Sequence, residues 1–112
     1  MFTSTRNHGF QMEFNNKITI SVQFGAGNYC ERKNVNTSYR GDMDGNSPLV
    51  QSNDAEIAIW DSEGKWFSFF NDDKVKGYVD TDEVAKWIEI CSSATDLDDV
   101  KRLSKLTNNK EH

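Results

Sequence analysis

Apolar and polar residues alternate on either side of an Asn15-Asn16 pair near the start of the chain. Phe10, Met12 and Phe14 precede the pair, and four apolar residues at every second position between 18 and 24 follow it. Because successive side chains of a strand point to opposite faces of a sheet, this period of two predicts two strands that share one buried face. The asparagines between them are typical of a tight turn. The chain is therefore built on an antiparallel hairpin.

Further strands are predicted beyond residue 54. Residues 55–60 and 65–70 are rich in isoleucine and aromatic side chains, which favour strands, and residues 61–64 between them have the composition of a turn. Gly64 supplies a position with positive φ at low steric cost. A polar stretch then leads to a short fifth strand at 75–79.

From Asp80 onwards the pattern is helical. Asp80 and Glu83 have the spacing of a capping box. The apolar residues that follow at i, i+3, i+4 and i+7, on one helix face, are Val84, Trp87, Ile88 and Cys91. A second helix is predicted to begin near Thr95 or Asp96, and its apolar positions are Leu97, Val100, Leu103 and Leu106.

These elements predict an α+β fold, an antiparallel sheet of about five strands followed by one or two C-terminal helices packed on it. The 112 residues are the length of one domain, so 1–112 is predicted to be a single domain. Residues 1–8 show no period and are expected to form a flexible leader, and residues 107–112 are expected to fray.

Charge and cysteine content exclude several classes of protein. The chain has 18 acidic and 13 basic side chains, a net charge of −5, which argues against generic nucleic-acid binding because that needs a basic surface. Cys30 and Cys91 form no disulfide framework, no signal peptide precedes them, and no apolar run has the roughly 18 residues of a membrane span. We expect reduced thiols, a cytoplasmic location and no membrane partner.

A long polar insert, residues 25–54, separates the two pairs of strands. It contains four of the seven glycines and the only proline, Pro48. Connections longer than about 12–15 residues without secondary structure are uncommon in compact domains and are often functional or disordered. Two interpretations stay open: a variable surface excursion without specific chemistry, and a binding loop.

The binding-loop interpretation gives a candidate ligand site. Two glycines that leave a strand can expose backbone amides to an anion, a tyrosine ring can stack on a ligand, and arginines can bind phosphate or carboxylate groups. The candidate ligand-binding residues are Gly25, Gly27, Asn28, Tyr29, Arg32 and Arg40. A bulge or a turn at this point would explain the glycines equally well.

Catalytic and metal-binding patterns are not found. The only histidines are His8 and His112, and no HExxH, Walker or GxSxG motif occurs. A calcium loop beginning at Asp42 would need Gly at the position of Ser47 and Glu at that of Asn53. We predict no catalysis, no metal and no cofactor.

Residues 65–70 place aromatic side chains on both faces of the predicted strand. Phe67 and Phe69 lie on one face and Trp66 and Phe70 on the other. One face can pack against the helix that carries Trp87. The other needs the long insert or a second copy of the chain, so a homodimer and complete internal coverage are both compatible with the pattern.

Several short motifs resemble a family of small accessory proteins of tailed bacteriophages, among them T4-like and marine phages. They are residues 9–14, 21–25 and 27–30, residues 55–58 with Trp60, Gly64 and Trp66, and Gly77-Tyr78 before residues 82–84. The resemblance covers roughly residues 9–91, and it does not imply a particular activity. It implies an accessory protein in the cytoplasm of the infected bacterial host.

The predicted function is that of a non-catalytic phage accessory binding protein. Its partner would be a small, nucleotide-like anionic ligand or a host protein that it inhibits. The alternatives are a minor structural protein of the virion and a small enzyme that uses Cys30 with His8.

Overall fold

The structure is a computed structural model that describes residues 1–5, 8–25, 28, 30 and 51–110. Its strands are β1 (Phe2–Ser4), β2 (Gly9–Glu13), β3 (Thr19–Gln23), β4 (Asp54–Trp60) and β5 (Lys76–Asp80). A 3-10 turn (Phe70–Asp72) precedes β5, and helices α1 (Thr81–Ser93) and α2 (Leu97–Lys110) follow it. The predicted α+β class, with a five-stranded antiparallel sheet and two C-terminal helices packed on it, is confirmed.

The sheet is a meander in which every strand pairs with its neighbours in the sequence, in the order β1-β2-β3-β4-β5. Met12 lies opposite Ile20, and Ile20 lies opposite Ile59, so one row of apolar side chains crosses three strands on the helix-covered face. Ser21 and Ala58 form a neighbouring row on the other face. Because the side-chain period is two, a slip of one residue would turn the side chains of Ile20 and Ile59 away from the helices, and this sets the register.

The core lies between the sheet and the helices. Ile20 and Ile59 of the central strands are completely buried, and Cys91 of α1 and Val100 of α2 close over them. Helix α1 lies across β3, β4 and β5. Burying an isoleucine contributes about 1.5–3 kcal/mol, so these central rows are the main source of stability.

Side chains fix where α1 begins. The Asp80 carboxylate accepts from the Glu83 N–H at 2.8 Å, as the capping-box pattern predicts. The Glu83 carboxylate instead accepts from Trp87 Nε1 at 3.2 Å and lies 3.6 Å from Lys76 Nζ. Glu83 therefore connects β5 to the first turns of α1.

Helix α2 begins as the sequence predicts, but it continues further. The Asp96 carboxylate accepts from the Asp99 N–H at 2.8 Å, and the helix runs to Lys110, into the segment expected to fray. Residues 111 and 112 lie outside the described part of the chain. A hydrogen bond from the Thr95 N–H, together with Arg102, lowers the pKa of Asp99.

The prediction of a flexible leader at 1–8 is wrong for its first half. Residues Phe2–Ser4 form strand β1, which pairs antiparallel with β2. Its side chains are exposed, so they carry no apolar alternation, and backbone hydrogen bonds hold the strand instead.

The predicted strand at 65–70 is also wrong. Trp66 makes only an isolated bridge to Trp60. The Phe67 N–H still bonds to the Ile59 carbonyl at 2.7 Å, but the Phe69 N–H bonds to the Asp73 carbonyl at 2.7 Å. The chain therefore curls away from β4 after a single bridge, and its place among the five strands is taken by β1.

Candidate functional site

Only two residues of the sequence-predicted ligand site, Gly25 and Asn28, belong to the described part of the chain; Gly27, Tyr29, Arg32 and Arg40 lie outside it. The Gly25 N–H donates to Asn28 Oδ1 at 3.0 Å, and the Asn28 N–H donates to the Gly25 carbonyl at 3.2 Å. Gly25 is also buried. Its amide is thus used inside the protein and is not the exposed amide that the sequence suggests, while the ligand site as a whole stays a prediction.

A close approach explains why residue 25 is glycine. A Cβ at this position would overlap Nδ1 of His8 and lie 3.0 Å from its Cα. The Phe24 N–H also donates to the His8 carbonyl at 2.6 Å, which holds the two segments together. The alternative of a structural requirement therefore accounts for Gly25.

The cysteines are both buried. The Cys30 thiol donates to the Gly25 carbonyl at 3.8 Å, so Cys30 and His8 contact the same glycine. Cys91 lies in the core, as its place on the helix stripe predicts, and burial raises its pKa from 9.0 to about 12. A thiol held neutral in this way is a packing group rather than a nucleophile.

A different concave surface combines charge with aromatic side chains. A groove of about 580 Å³ lies between the β4–β5 connection and the two helices. We call it the lysine groove; its lining residues are Phe67, Ser68, Phe69, Phe70, Asp72, Lys76, Trp87, Lys101, Ser104 and Lys105. These residues come from β5, α1, α2 and the β4–β5 connection, so the groove exists only in the folded chain.

The floor of the lysine groove is a rigid aromatic cluster. The rings of Phe67 and Phe69 meet edge to face at 5.0 Å, and both meet Trp87, at 5.9 and 5.2 Å. The bond from the Trp87 indole to Glu83 orients the third ring. Edge-to-face aromatic pairs add about 0.5–1.5 kcal/mol each beyond area burial. This contact confirms that one aromatic face of 65–70 packs against the helix of Trp87.

The walls of the lysine groove are cationic. Lys101 and Lys105 lie one turn apart on α2 and thus on the same side of the helix. Lys76 comes from β5, and Asp72 is the only carboxylate among the described lining residues. Lys76 is ion-paired with Glu83 at 3.6 Å, so Lys101 and Lys105 supply most of the positive charge of this groove, in a chain whose net charge is −5.

The rim of the groove carries an exposed ring. Phe70 is 87% exposed, although it is a large apolar side chain. Bonds from the Phe69 N–H to the Asp73 carbonyl and from the Asp72 N–H to the Phe69 carbonyl, at 2.7 and 3.1 Å, close the turn that presents it. Asp72 has φ +61, a conformation that aspartate tolerates better than most residues. These backbone bonds fix the turn from which the exposed ring of Phe70 projects.

The second aromatic face of 65–70 lacks full cover in the described structure. Trp66 stacks on Trp60, with ring centroids 5.0 Å apart, and is still 42% exposed. The homodimer expected from this face stays a prediction.

A second cavity, of about 780 Å³, lies at the end of the sheet near the start of α1. Its described lining is mainly apolar, with polar residues at 51–54, and it contains no lysine or arginine. The described lining thus differs from that of the lysine groove in offering no ammonium or guanidinium group.

Sequence reasoning did not find the lysine groove. Its cations come from β5 and α2, far apart in the chain, and the spacing of lysines on α2 alone is that of any solvated helix face. The signal that pointed towards it was the excess of aromatic residues at 66–70.

Two other classes of site do not occur in the described ranges. There, no group of three or more His, Cys, Asp or Glu side chains is placed to hold a metal ion. None of the helices described is both long enough and apolar enough to cross a membrane.

Comparison of the chain with protein-family models, with curated proteins and with solved structures found no match.

Proposed function

We propose that this chain is a non-catalytic binding protein that captures a small, nucleotide-like anion in the lysine groove. The observation that carries the proposal is the position of Lys101 and Lys105, together with the ion-paired Lys76, around an aromatic floor in an otherwise acidic chain. The proposed binding site is thus the lysine groove and not the loop at 25–40, but the class of ligand is the one that the sequence predicts.

The groove offers what each part of such a ligand needs. Ammonium groups of lysine bind phosphate as point charges, and Lys101 and Lys105 are spaced to share one phosphate chain. The exposed ring of Phe70 gives a planar base a surface for stacking. The volume of about 580 Å³ lies within the roughly 300–1,000 Å³ typical of small-molecule sites.

Binding rather than catalysis is the activity that this set of side chains favours. The hydroxyl of Ser68 accepts from Lys74 Nζ at 2.6 Å, and the hydroxyl of Ser104 donates to the Lys101 carbonyl at 2.8 Å. Both hydroxyls are therefore engaged in the protein and neither has an adjacent base to activate it.

The resemblance to phage accessory proteins suggests where such binding would act. An accessory protein in the cytoplasm of an infected bacterium can lower the free concentration of a nucleotide signal of the host simply by binding it. No turnover is needed for that effect, because sequestration depends on affinity and on protein concentration alone.

Isothermal titration calorimetry with a panel of mononucleotides, dinucleotides, pyrophosphate and phosphate tests this function. We expect saturable binding of at least one nucleotide that weakens with salt. The double variant Lys101→Gln and Lys105→Gln should weaken it about tenfold or more, since each charge-assisted bond contributes about 1.5–3 kcal/mol.

Lys65→Gln is the matched control, because Lys65 is exposed and lies outside the groove. Its affinity should stay within about twofold of the wild type. A folded wild-type protein that binds no member of the panel contradicts the proposal. Capture of a host protein through the same lysines would favour inhibition of a host factor instead.

The alternatives have their own tests. Mass spectrometry of purified phage particles detects a virion component. A turnover lost in Cys30→Ser, with folding intact, would support an enzyme.

A further inference from the structure

The two edges of the sheet differ in how well they are protected against pairing with another strand. The β5 edge carries the charged residues Lys76 and Asp80, and a β-bulge shifts its register against β4. Charges, bulges and very short strands are devices by which proteins block sheet edges. The β1 edge is short, only three residues, but it has no bulge against β2, and residues 1–5 contain no charged side chain and no proline.

The hydrogen bonds of β1 show which backbone groups point away from the sheet. The Met1 amine donates to the Glu13 carbonyl at 2.7 Å, the Glu13 N–H donates to the Met1 carbonyl at 2.8 Å, and the Thr5 N–H donates to the Gly9 carbonyl at 3.1 Å. Along an antiparallel strand, every second residue directs its N–H and C=O groups to the same neighbouring strand, and the residues between direct theirs to the opposite side. Because Met1 and Thr5 bond inwards, the N–H and C=O groups of Phe2 and Ser4 point outwards.

Large apolar side chains at this edge are also exposed to solvent. Met1 and Phe2 are 78% and 76% exposed. Phe2 lies opposite Met12, and so it extends the apolar Met12–Ile20–Ile59 row to the outer edge of the sheet. An exposed apolar ring at the end of a buried row, beside backbone donors and acceptors that no other strand of the described sheet pairs with, is the arrangement that accepts a further strand.

We propose that β1 pairs antiparallel with β1 of a second copy of this chain, about a twofold axis through Thr3. The N–H and C=O groups of Phe2 then bond to those of Ser4 in the second copy, and the reverse, which gives four backbone bonds and one continuous sheet.

A second copy fits this edge because the edge is complementary to itself. The outward groups lie symmetrically on either side of Thr3, so antiparallel pairing satisfies both chains in the same register. The two Phe2 rings become diagonal neighbours on one face, roughly 7–8 Å apart at the backbone and within reach of each other. The charge at this edge, the Met1 ammonium, is bonded to the Glu13 carbonyl at 2.7 Å, and residues 1–5 have no charged side chain that would select an acidic or basic strand instead.

The interface is small, so the dimer is in exchange with the monomer. Contacts that bury less than about 1,200 Å² in total are typically weak. Sedimentation velocity of the full chain from 5 to 500 µM should show the mass rising from one chain towards two. A mass of one chain throughout this range overturns the proposal.

Two substitutions test the edge itself. Ser4→Pro removes an outward N–H while leaving the inward bonds of Met1 and Thr5 in place. Phe2→Lys puts one positive charge from each chain beside the axis, on the same face of the joined sheet. Each should keep the protein monomeric at 500 µM. Tyr78→Lys, the matched change of an exposed aromatic residue on the β5 edge, should dimerise like the wild type. The reverse pattern contradicts the proposed edge.

Thr3→Cys tests the register. Residues directly opposite in a pair without mutual hydrogen bonds have Cα atoms roughly 4.5 Å apart, which suits a disulfide. With oxidised glutathione this variant should give a covalent dimer, while the buried Cys30 and Cys91 remain reduced. Dimerisation by the wild type without a disulfide in Thr3→Cys would show that another surface or register is used.

Discussion

At the residue scale, the contact between Gly25 and His8 determines how the chain leaves β3. Gly25→Ala should destabilise the protein by about 1–3 kcal/mol, because the added Cβ meets His8 in a packed environment. Urea unfolding followed by circular dichroism measures the change. The nearby bond from Phe24 to His8 limits how far either segment can move to relieve the overlap.

The double variant His8→Ala with Gly25→Ala separates this overlap from other effects of the alanine. Removing the imidazole takes away Nδ1 and Cγ but leaves the His8 Cα, 3.0 Å from the new Cβ. In the His8→Ala background, Gly25→Ala should therefore cost less than in the wild type, though still a measurable amount. An equal loss in both backgrounds would mean that the imidazole is not the cause.

At the element scale, Asn16 joins the β2–β3 turn to the end of α1. Its Nδ2 group donates to the carbonyls of Cys91 and Ala94, both at 2.7 Å, and its Oδ1 accepts from the Ile18 N–H at 2.9 Å. The carbonyls at the end of a helix have no partner within the helix. One side chain thus closes the helix end and fixes the position of the hairpin beneath it.

Asn16→Ala should lower the free energy of unfolding by about 2–3 kcal/mol, since three hydrogen bonds are lost and each contributes about 1 kcal/mol. Asn15→Ala is the matched control, because Asn15 is the exposed neighbour in the same turn. It should change stability by less than about 0.5 kcal/mol. Thermal and urea unfolding of the two variants side by side make the measurement, and equal losses would show that the link to α1 contributes little.

The elements that the sequence predicts correctly are those in which periodicity and burial agree. The hairpin around Asn15-Asn16 and the stripe that contains Cys91 each bury one face, so a pattern along the chain reports the fold directly. Residues 65–70 carry aromatic side chains on both faces of the predicted strand, and of these Phe67 and Phe69 do enter the core. Alternation specifies the face of a side chain but not the partner of the backbone, and the bond from Phe69 to Asp73 decides that.

At the scale of the whole molecule, the candidate site is a product of tertiary structure. Lys76 lies on β5 and Lys101 on α2, with the whole of α1 between them in the sequence, and only the packing of α2 beside the β4–β5 connection brings them to one groove. A motif search finds residues close in sequence, such as Gly25 and Asn28, and here those bond to each other. The charge of the site was likewise hidden, because the chain as a whole is acidic.

The buried thiol of Cys91 makes the free energy of unfolding depend on pH. Burial raises the pKa of this thiol from 9.0 to about 12 in the folded protein, so the neutral form is favoured there. Below about pH 9 the thiol is neutral in both states and its contribution to stability is complete. As pH rises from about 9 towards about 12, the unfolded chain loses this proton and the folded chain keeps it, so stability falls by about 1.4 kcal/mol per pH unit.

Lysines and tyrosines titrate in the same range, so the comparison must be made with Cys91→Ala, which removes this one group. At pH 7 the variant should be less stable, by about 1–2 kcal/mol, because a buried side chain has been shortened. Between pH 9 and 10.5 the difference between the two proteins should shrink, since only the wild type carries the thiol. Urea unfolding at each pH measures both curves; if they stay parallel up to pH 10.5, the Cys91 thiol is not held in its neutral form by the core.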